Sequence, residues 1–254
     1  MQRFISFSGG VESTAMCLLF GANADAIFAD TGFEHKKLYE RLDTVESKIK
    51  DFHSNEFKIH RIKSKHGTLP EYIEKTKFYP SFRSRYCTRM FKIEPIDEFL
   101  KQYESEGVEL MIGLNADEEK SRTGNHGNLP FVQYSYPLIK NGLTRKDCEN
   151  LLNKADLHPN FPVYMRRGGC VGCFYKSAKE YEAMIHLSPD EFDKVMELEE
   201  TIQDRRGEFY RIKSDMPRMS EFKKNILSQP YLFDAASIYS VINNETRCGV
   251  FCNR

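Results

Sequence analysis

Three short patterns in this chain hold residue types that do chemistry. Ser8-Gly9-Gly10-Val11-Glu12-Ser13-Thr14 joins a strand-like segment, ending near Ser6, to a helix-like one. Glycines let backbone N–H groups approach an anion closely, and the helix that follows adds free N–H groups and a positive dipole end. Ser8, Ser13 and Thr14 add hydroxyls. The spacing is not Gly-x4-Gly-Lys-Ser/Thr and no lysine is present to reach a γ-phosphate, so the loop suits a leaving pyrophosphate. Its plain alternative is a glycine turn between strand and helix.

The second pattern is Cys170-x2-Cys173, a spacing at which two thiolates share one metal, either zinc or iron in a cluster. Two more ligands are then required. Cys87 is one candidate, and Cys248-x3-Cys252 in the tail offers another, with Cys252 ahead of Cys248. Buried free thiols and a structural zinc knuckle are the competing readings. Cys17 and Cys148 fall inside helical patterns and read as core. The third pattern is the run Arg83, Arg85, Arg89 and Lys92 around Cys87, where arginine forks and a lysine point charge suit phosphate groups. A solvated basic surface is the bland reading. Asp30, at a strand end before Thr31-Gly32, reads as a Mg²⁺ or ribose ligand, or as an Asx turn.

The elements that must position these residues follow from periodicity. Arg3–Phe7, Ala24–Ala29, Phe57–Ile62 and Glu109–Gly113 read as strands, and Glu12–Phe20 and Leu38–Phe52 as helices. Strands alternating with helices predict an α/β fold with a parallel twisted sheet flanked by helices, its strand C-terminal ends along one edge. Thr144 with Asp147 predicts a helix start running to Asp156. Ser188-Pro189-Asp190-Glu191 predicts another, running to Arg206. The expected organisation is a nucleotide-binding core over 1–160, and a Cys-motif loop with a helical region packed on it over 161–254.

Composition narrows the class. Apolar residues are 40% and charged residues 29% of 254, and no stretch approaches the roughly 20 apolar residues of a membrane span. Met1-Gln2-Arg3 runs straight into a strand, leaving no room for a leader, and seven cysteines are an odd count for a disulfide framework. A cytoplasmic protein with metal or redox cysteines is expected. Lys plus Arg (37) equals Asp plus Glu (37), so any nucleic-acid contact must come from a local patch or from other subunits.

With these residues in view, a resemblance can be stated. Ser8-Gly9-Gly10-x-x-Ser13 resembles the pyrophosphate loop of the N-type ATP pyrophosphatases, of the adenine nucleotide α-hydrolase-like fold. Asp30-Thr31-Gly32, the segment Cys87-Thr88 to Lys92 and Pro95, and Gly113 to Asp117 and Arg122 resemble the phosphoadenylyl-sulfate (PAPS) reductase branch. Tyr136-Pro137-Leu138 and Gly169-Cys170-Val171-Gly172-Cys173 follow in that branch's order. Glu12 departs from the usual Asp, and Leu114 from a frequent Arg. Cys87-Thr88 stands where adenylyl-sulfate reductases carry a Cys-Cys pair.

The resemblance implies an enzyme of adenine-nucleotide and sulfur chemistry. Ser6, Ser8, Gly9, Gly10, Glu12, Ser13, Thr14, Asp30, Thr31 and Gly113 would bind nucleotide. Asp30, Lys92, Asp117 and Arg122 would serve catalysis, with Lys120 a further candidate in the same segment. Cys87, Cys170, Cys173 and Cys252 would hold a [4Fe–4S] cluster, with zinc as the alternative. The lone Cys-x2-Cys and Cys87-Thr88 are closer to the DndC/SspD-type branch of DNA phosphorothioation. There ATP and Mg²⁺ adenylate a backbone phosphate, and a cysteine desulfurase is the implied sulfur donor. The alternatives are a PAPS or adenylyl-sulfate reductase releasing sulfite, with Cys248 as nucleophile, and a degenerate zinc-binding module for nucleic acid or a partner.

Overall fold

The structure, a computed structural model, describes residues 1–54, 56–119, 129–166, 169–202 and 210–228. Five parallel strands form one sheet in the order β3-β2-β1-β4-β5: β1 (Gln2–Ser6), β2 (Asp25–Asp30), β3 (Ile59–Lys63), β4 (Val108–Ile112) and β5 (Val132–Ser135). The chain winds outward from β1 to β3, then returns to the other side of β1. The switch therefore lies between β1 and β4, where Ser6 pairs with Ile112. Ligand crevices of such sheets open beyond the strand C-termini at this switch.

Successive side chains on a strand face opposite ways, and here both faces are covered. Ile5, Ala26, Phe28 and Met111 join one buried cluster with α1 (Val11–Phe20) and α2 (Lys36–His53). Phe4, Ile27, Ala29, Leu110 and Ile112 join a second cluster with Ile96 and Leu100. This two-sided burial accounts for the near-continuous apolar strands. α3 (Leu69–Thr76) starts with a reciprocal capping box between Thr68 and Glu71. α4 (Tyr86–Thr88) passes through a π turn (Arg89–Ile93) into α5 (Glu94–Leu100). α6 (Pro137–Lys140) and α7 (Arg145–Lys154) follow β5, and α7 carries the expected Thr144–Asp147 capping box.

The second half consists of α8 (Ala178–Leu187), α9 (Pro189–Glu200) and α10 (Met219–Ser228). Tyr181, Met184, Phe192 and Val195 belong to the same buried cluster as Ile5 and Phe28, so these helices pack on the sheet's first layer. Pro189 opens α9 as expected, but the helix closes at Glu200 rather than Arg206. The fully buried Glu199 carboxylate accepts from Ile212 N (2.9 Å) and Met219 N (2.6 Å), which turns the following chain back to start α10. No described helix is long and apolar enough to cross a membrane.

A buried hydrogen-bonded joint between His35 and Glu191 ties the halves together. His35 Nδ1 lies 2.5 Å from Glu191 Oε2, and Lys36 N–H donates to Glu191 Oε1 at 2.7 Å. Ser188, the expected N-cap, instead donates its hydroxyl to the same Glu191 carboxylate at 2.8 Å. Burial alone would raise the Glu191 carboxyl, but these hydrogen bonds outweigh it and push it down to about 2. Burial pushes the His35 imidazole below its ordinary 6.5, so the neutral ring donates to a carboxylate anion.

Both groups bind protons more readily in the unfolded chain, so the joint weakens as pH falls, first through the His35 range, then from 4.5 toward 2. Glu191→Gln should lower unfolding free energy at pH 7 by about 1–3 kcal/mol. Its gap from wild type in urea unfolding should narrow below pH 4.5, and a gap constant to pH 3 would contradict the joint.

Candidate functional site

The glycine loop sits where the sheet switches direction. Gly10 precedes α1 with extended backbone, and no side chain caps the helix, so its first N–H groups open toward the crevice. The Ser8 and Ser13 hydroxyls lie 3.2 Å apart, and Ser8 N–H donates to Ser13 Oγ at 3.2 Å. Gly9 holds φ +74°, and a Cβ there would meet Leu38 Cδ1 at 2.2 Å. Thr14 is fully buried and donates to Gly10 O at 2.7 Å, so it braces the loop from behind. Arg41 does the same from α2: Nε donates to Gly9 O (3.1 Å), and Nη2 to Thr14 Oγ1 (3.2 Å) and Leu157 O (2.6 Å). Burial pulls the Arg41 guanidinium down to about 10, still a cation at neutral pH.

The segment after β4 closes the crevice's other wall. The backbone of Gly113 packs against the first turn of α1. Glu12 Oε1 accepts from Asn115 Nδ2 (3.0 Å) and Arg145 Nη1 (2.7 Å). Asp117 accepts from Arg145 N at 3.1 Å, so its carboxylate sits at the start of α7. Burial would lower the Arg145 guanidinium, but Glu12 and Glu149 raise it. The longer Glu12 side chain is thus engaged with protein donors.

Asp30 ends β2 on the same sheet edge. Its Oδ1 accepts from Gly32 N (2.8 Å) and the Tyr39 hydroxyl (2.6 Å), an Asx turn held in place by a tyrosine. Thr31 is buried and donates to Glu34 Oε1 at 2.9 Å. Glu34 forms a short antiparallel bridge with Cys170, framed by His35 N–H to Gly169 O (2.6 Å) and Val171 N–H to Phe33 O (2.8 Å). Gly169 fits because a Cβ there would meet Leu38 Cδ2 at 2.2 Å.

Cys87, Cys170 and Cys173 line one cavity of about 780 Å³ including its open mouth, with Thr31, Arg85 and Lys92. The π turn widens the helix between Cys87 and Lys92, and both reach the cavity wall. Lys92 Nζ lies 3.8 Å from Glu34 Oε1. Burial would lower the Lys92 ammonium, but Glu34 and the sulfur groups raise it. Burial raises all three thiols, most strongly Cys170, which also faces the Glu34 carboxylate. They are neutral thiols at pH 7 unless a metal displaces their protons. Lys176 is completely buried nearby and donates to the Tyr164 carbonyl. Among the described residues, no three His, Cys, Asp or Glu side chains lie close enough to hold a metal ion.

The sequence-derived residues thus divide into two groups on one edge. Ser6, Ser8 to Thr14, Asp30, Gly113 and Asp117 surround the crevice, and Cys87, Lys92, Cys170 and Cys173 the cavity. Arg85 lines the cavity, and Arg83 and Arg89 flank Cys87 on the same segment without lining it. Lys120, Arg122, Cys248 and Cys252 lie outside the described residues. Sequence reasoning missed Glu34, His35, Arg41, Asn115, Arg145 and Lys176. Glu34, four residues beyond Asp30, and Asn115, between Gly113 and Asp117, lay inside motifs already marked and carried a local signal.

The family model described as the phosphoadenosine phosphosulfate reductase domain matches residues 2–135. An uncharacterized protein of Methanocaldococcus jannaschii is 26% identical over 231 residues, covering 86% of this chain and 54% of that protein. An uncharacterized 37.8 kDa protein of Escherichia phage 186 is 23% identical over 262 residues, covering 81% of this chain and 77% of the relative. A second M. jannaschii protein is 27% identical over 216 residues, and this chain spans 40% of it. The chain thus spans about half or less of the two archaeal relatives. A crystal structure of PAPS reductase from Candida auris in phosphate complex aligns with TM-score 0.47 and 13% identity, over 61% of this chain and 73% of that one.

Two neighbouring glycines give a contrast that tests the loop geometry. Gly9→Ala should cost about 1–3 kcal/mol, from its positive φ and the Leu38 clash. Gly10→Ala, whose Cβ would find only the Ser8 hydroxyl at 3.5 Å, should cost less than about 0.5 kcal/mol. Equal urea-unfolding shifts would contradict this geometry.

Proposed function

Because the chain belongs to the phosphoadenosine phosphosulfate reductase domain family, we propose that it is an ATP pyrophosphatase that adenylates an acceptor for sulfur incorporation. The observation that carries this is the uncapped start of α1 behind Ser8 and Gly9, at the switch between β1 and β4. An uncapped helix start behind a glycine loop with no lysine suits a pyrophosphate that departs rather than a γ-phosphoryl that transfers. The acceptor oxygen attacks the α-phosphorus of ATP, its P–O bond forms, and the bond to the bridging oxygen breaks as pyrophosphate leaves. The outer sulfur of a donor persulfide, such as that of a cysteine desulfurase, then attacks the activated phosphorus and AMP leaves. A second thiol cleaves the donor S–S bond, taking the donor sulfur into a disulfide and leaving sulfur on phosphorus. Asp30, with Oδ1 already committed to Gly32 and Tyr39, and Asp117 are the carboxylates nearest this chemistry for Mg²⁺. The acceptor in this reading is a nucleic-acid backbone phosphate, as in DNA phosphorothioation.

Three cysteines lining one cavity support a thiolate-bound group, although among the described residues no three donors lie close enough for a single ion. Cys87, Cys170 and Cys173 would hold it, with Cys252 or Cys248 as fourth ligand. A [4Fe–4S] cluster bonds each cysteine to a different iron and so accepts a wider thiol spacing than a single zinc ion. When bound, it would cross-link the loop at 170 to the segment at 87 and place fixed charge beside Lys92.

Two measurements check this reading. In anaerobic calorimetric titration, Mg-ATP should bind at least tenfold tighter than PAPS or adenylyl sulfate, and Ser8→Ala should weaken ATP about tenfold without loss of fold. Preference for a sulfonucleotide would replace the proposal with the reductase reading, and binding of none would favour a degenerate module. Cys170→Ser should strip iron or zinc from protein purified without oxygen, by metal analysis; full retention would put the metal elsewhere.

A further inference from the structure

The net charge of zero conceals a strong local asymmetry. Residues 75–93 hold six lysines and arginines and no aspartate or glutamate, and residues 164–179 hold four and none. Residues between 79 and 92 and between 169 and 175 of these stretches line the cysteine cavity, with Thr31, Phe33, Leu69 and Ile73. Among the described residues, Arg83 and Arg85 make no ion pair, and Arg89, whose side chain is 71% exposed, meets only Glu94 at 3.5 Å.

Aromatic rings are interleaved with these cations. Phe82 is 67% exposed and Phe78 50%, in a protein with few exposed large apolar side chains among its described residues. Phe82 meets Tyr175 edge-on at 6.2 Å, and the Arg85 guanidinium lies over the same Tyr175 ring at 5.6 Å. Phe78 stacks on Tyr86 at 5.6 Å and 26°. One aromatic platform, Phe82 with Tyr175, thus stands at the mouth under Arg85, and a second, Phe78 with Tyr86, lies on the segment that carries Arg85 and Cys87.

We propose that this rim binds single-stranded nucleic acid, its unpaired bases stacking on Phe78 and Phe82 while Arg83, Arg85 and Arg89 take the phosphates. The inference deepens the nucleic-acid reading above and rests on it. Exposed aromatics among arginines favour a strand over an acidic protein, because carboxylates gain nothing from a stacking face and bases do. A duplex keeps its bases stacked inside, so the platforms discriminate against it. Every base has a π-face, so the rim reads strandedness more than sequence.

The test is fluorescence anisotropy with full-length protein and labelled oligonucleotides of about 12 units: single-stranded DNA, single-stranded RNA and duplex DNA. Single strands should bind at least tenfold tighter than the duplex, with the DNA and RNA arms showing which sugar is preferred. Phe82→Ala and Phe78→Ala should each weaken the single strand about fivefold or more. Phe52→Ala, on the exposed end of α2, should leave it unchanged. Arg83→Ala should reduce the slope of log affinity against log salt by about 0.7.

Equal affinity for duplex, or no effect of either phenylalanine variant, would overturn the proposal. So would binding of polyglutamate as tight as the oligonucleotide, which would mark the rim as a docking face for an acidic protein. Mg-ATP titration of the same samples separates the two claims. Retained ATP binding without oligonucleotide binding defeats the rim alone, and the reverse defeats the nucleotide-loop reading alone.

Discussion

One leucine side chain spaces the whole site. Leu38, nearly fully buried on α2, packs one methyl against Gly9 of the phosphate-loop pattern and the other against Gly169 of the cysteine loop. Any side chain at either glycine would overlap it. The two loops come from residues far apart in sequence, and no hydrogen bond of the described chain joins them directly. Close packing around a shared apolar wedge sets their separation, because protein interiors tolerate little change in volume. The neighbouring Glu34–Cys170 bridge then fixes the cysteine loop's register against the exit of β2. The six residues from Asp30 to His35 therefore serve the crevice at one end and the cavity at the other.

This arrangement explains which features could be read from sequence. A parallel sheet buried on both faces yields near-continuous apolar strands, so β1 to β4 stood out by composition. β5 is only Val132-Gln133-Tyr134-Ser135 and has one exposed position, too short to separate from a loop. The helix starts at Thr144 and Pro189 declared themselves through local capping chemistry, whereas the end of α9 depends on Glu199 reaching two amides beyond the next turn. The π turn at Arg89–Ile93 left no trace in residue pattern, since the residues on either side of it keep ordinary right-handed helical angles.

The site divides the same way. Motifs contiguous in sequence were legible: the glycine loop, Asp30-Thr31, Cys170-x2-Cys173. Their supports were not, because each acts across the fold: Arg41 on Gly9, Arg145 on Glu12 over 133 residues, Glu191 on His35 over 156. Thr14 and Thr31 show the converse. Both carry the hydroxyl that a motif reading assigns to ligand, and both are buried and bonded within the protein. Spacing pointed to a type of chemistry, whereas burial shows that the Thr14 and Thr31 hydroxyls are turned into the protein.

Charge balance links the cavity to its rim. Glu34 and Lys92 offset one another across 3.8 Å, while the three thiols, raised by burial, contribute no charge at neutral pH. Lys176 adds a buried ammonium, which burial pulls downward and Glu180 holds up. A buried cation is costly unless negative charge lies close. Deprotonating thiols to bind a metal would bring such charge between Lys92 and Lys176. The same group would draw together segment 87 and loop 170, which carry Arg85 and Tyr175 at the mouth. Under the proposed reading, a thiolate-bound group would add its negative charge beside Lys92 and Lys176 and hold segment 87 against loop 170 in the same step.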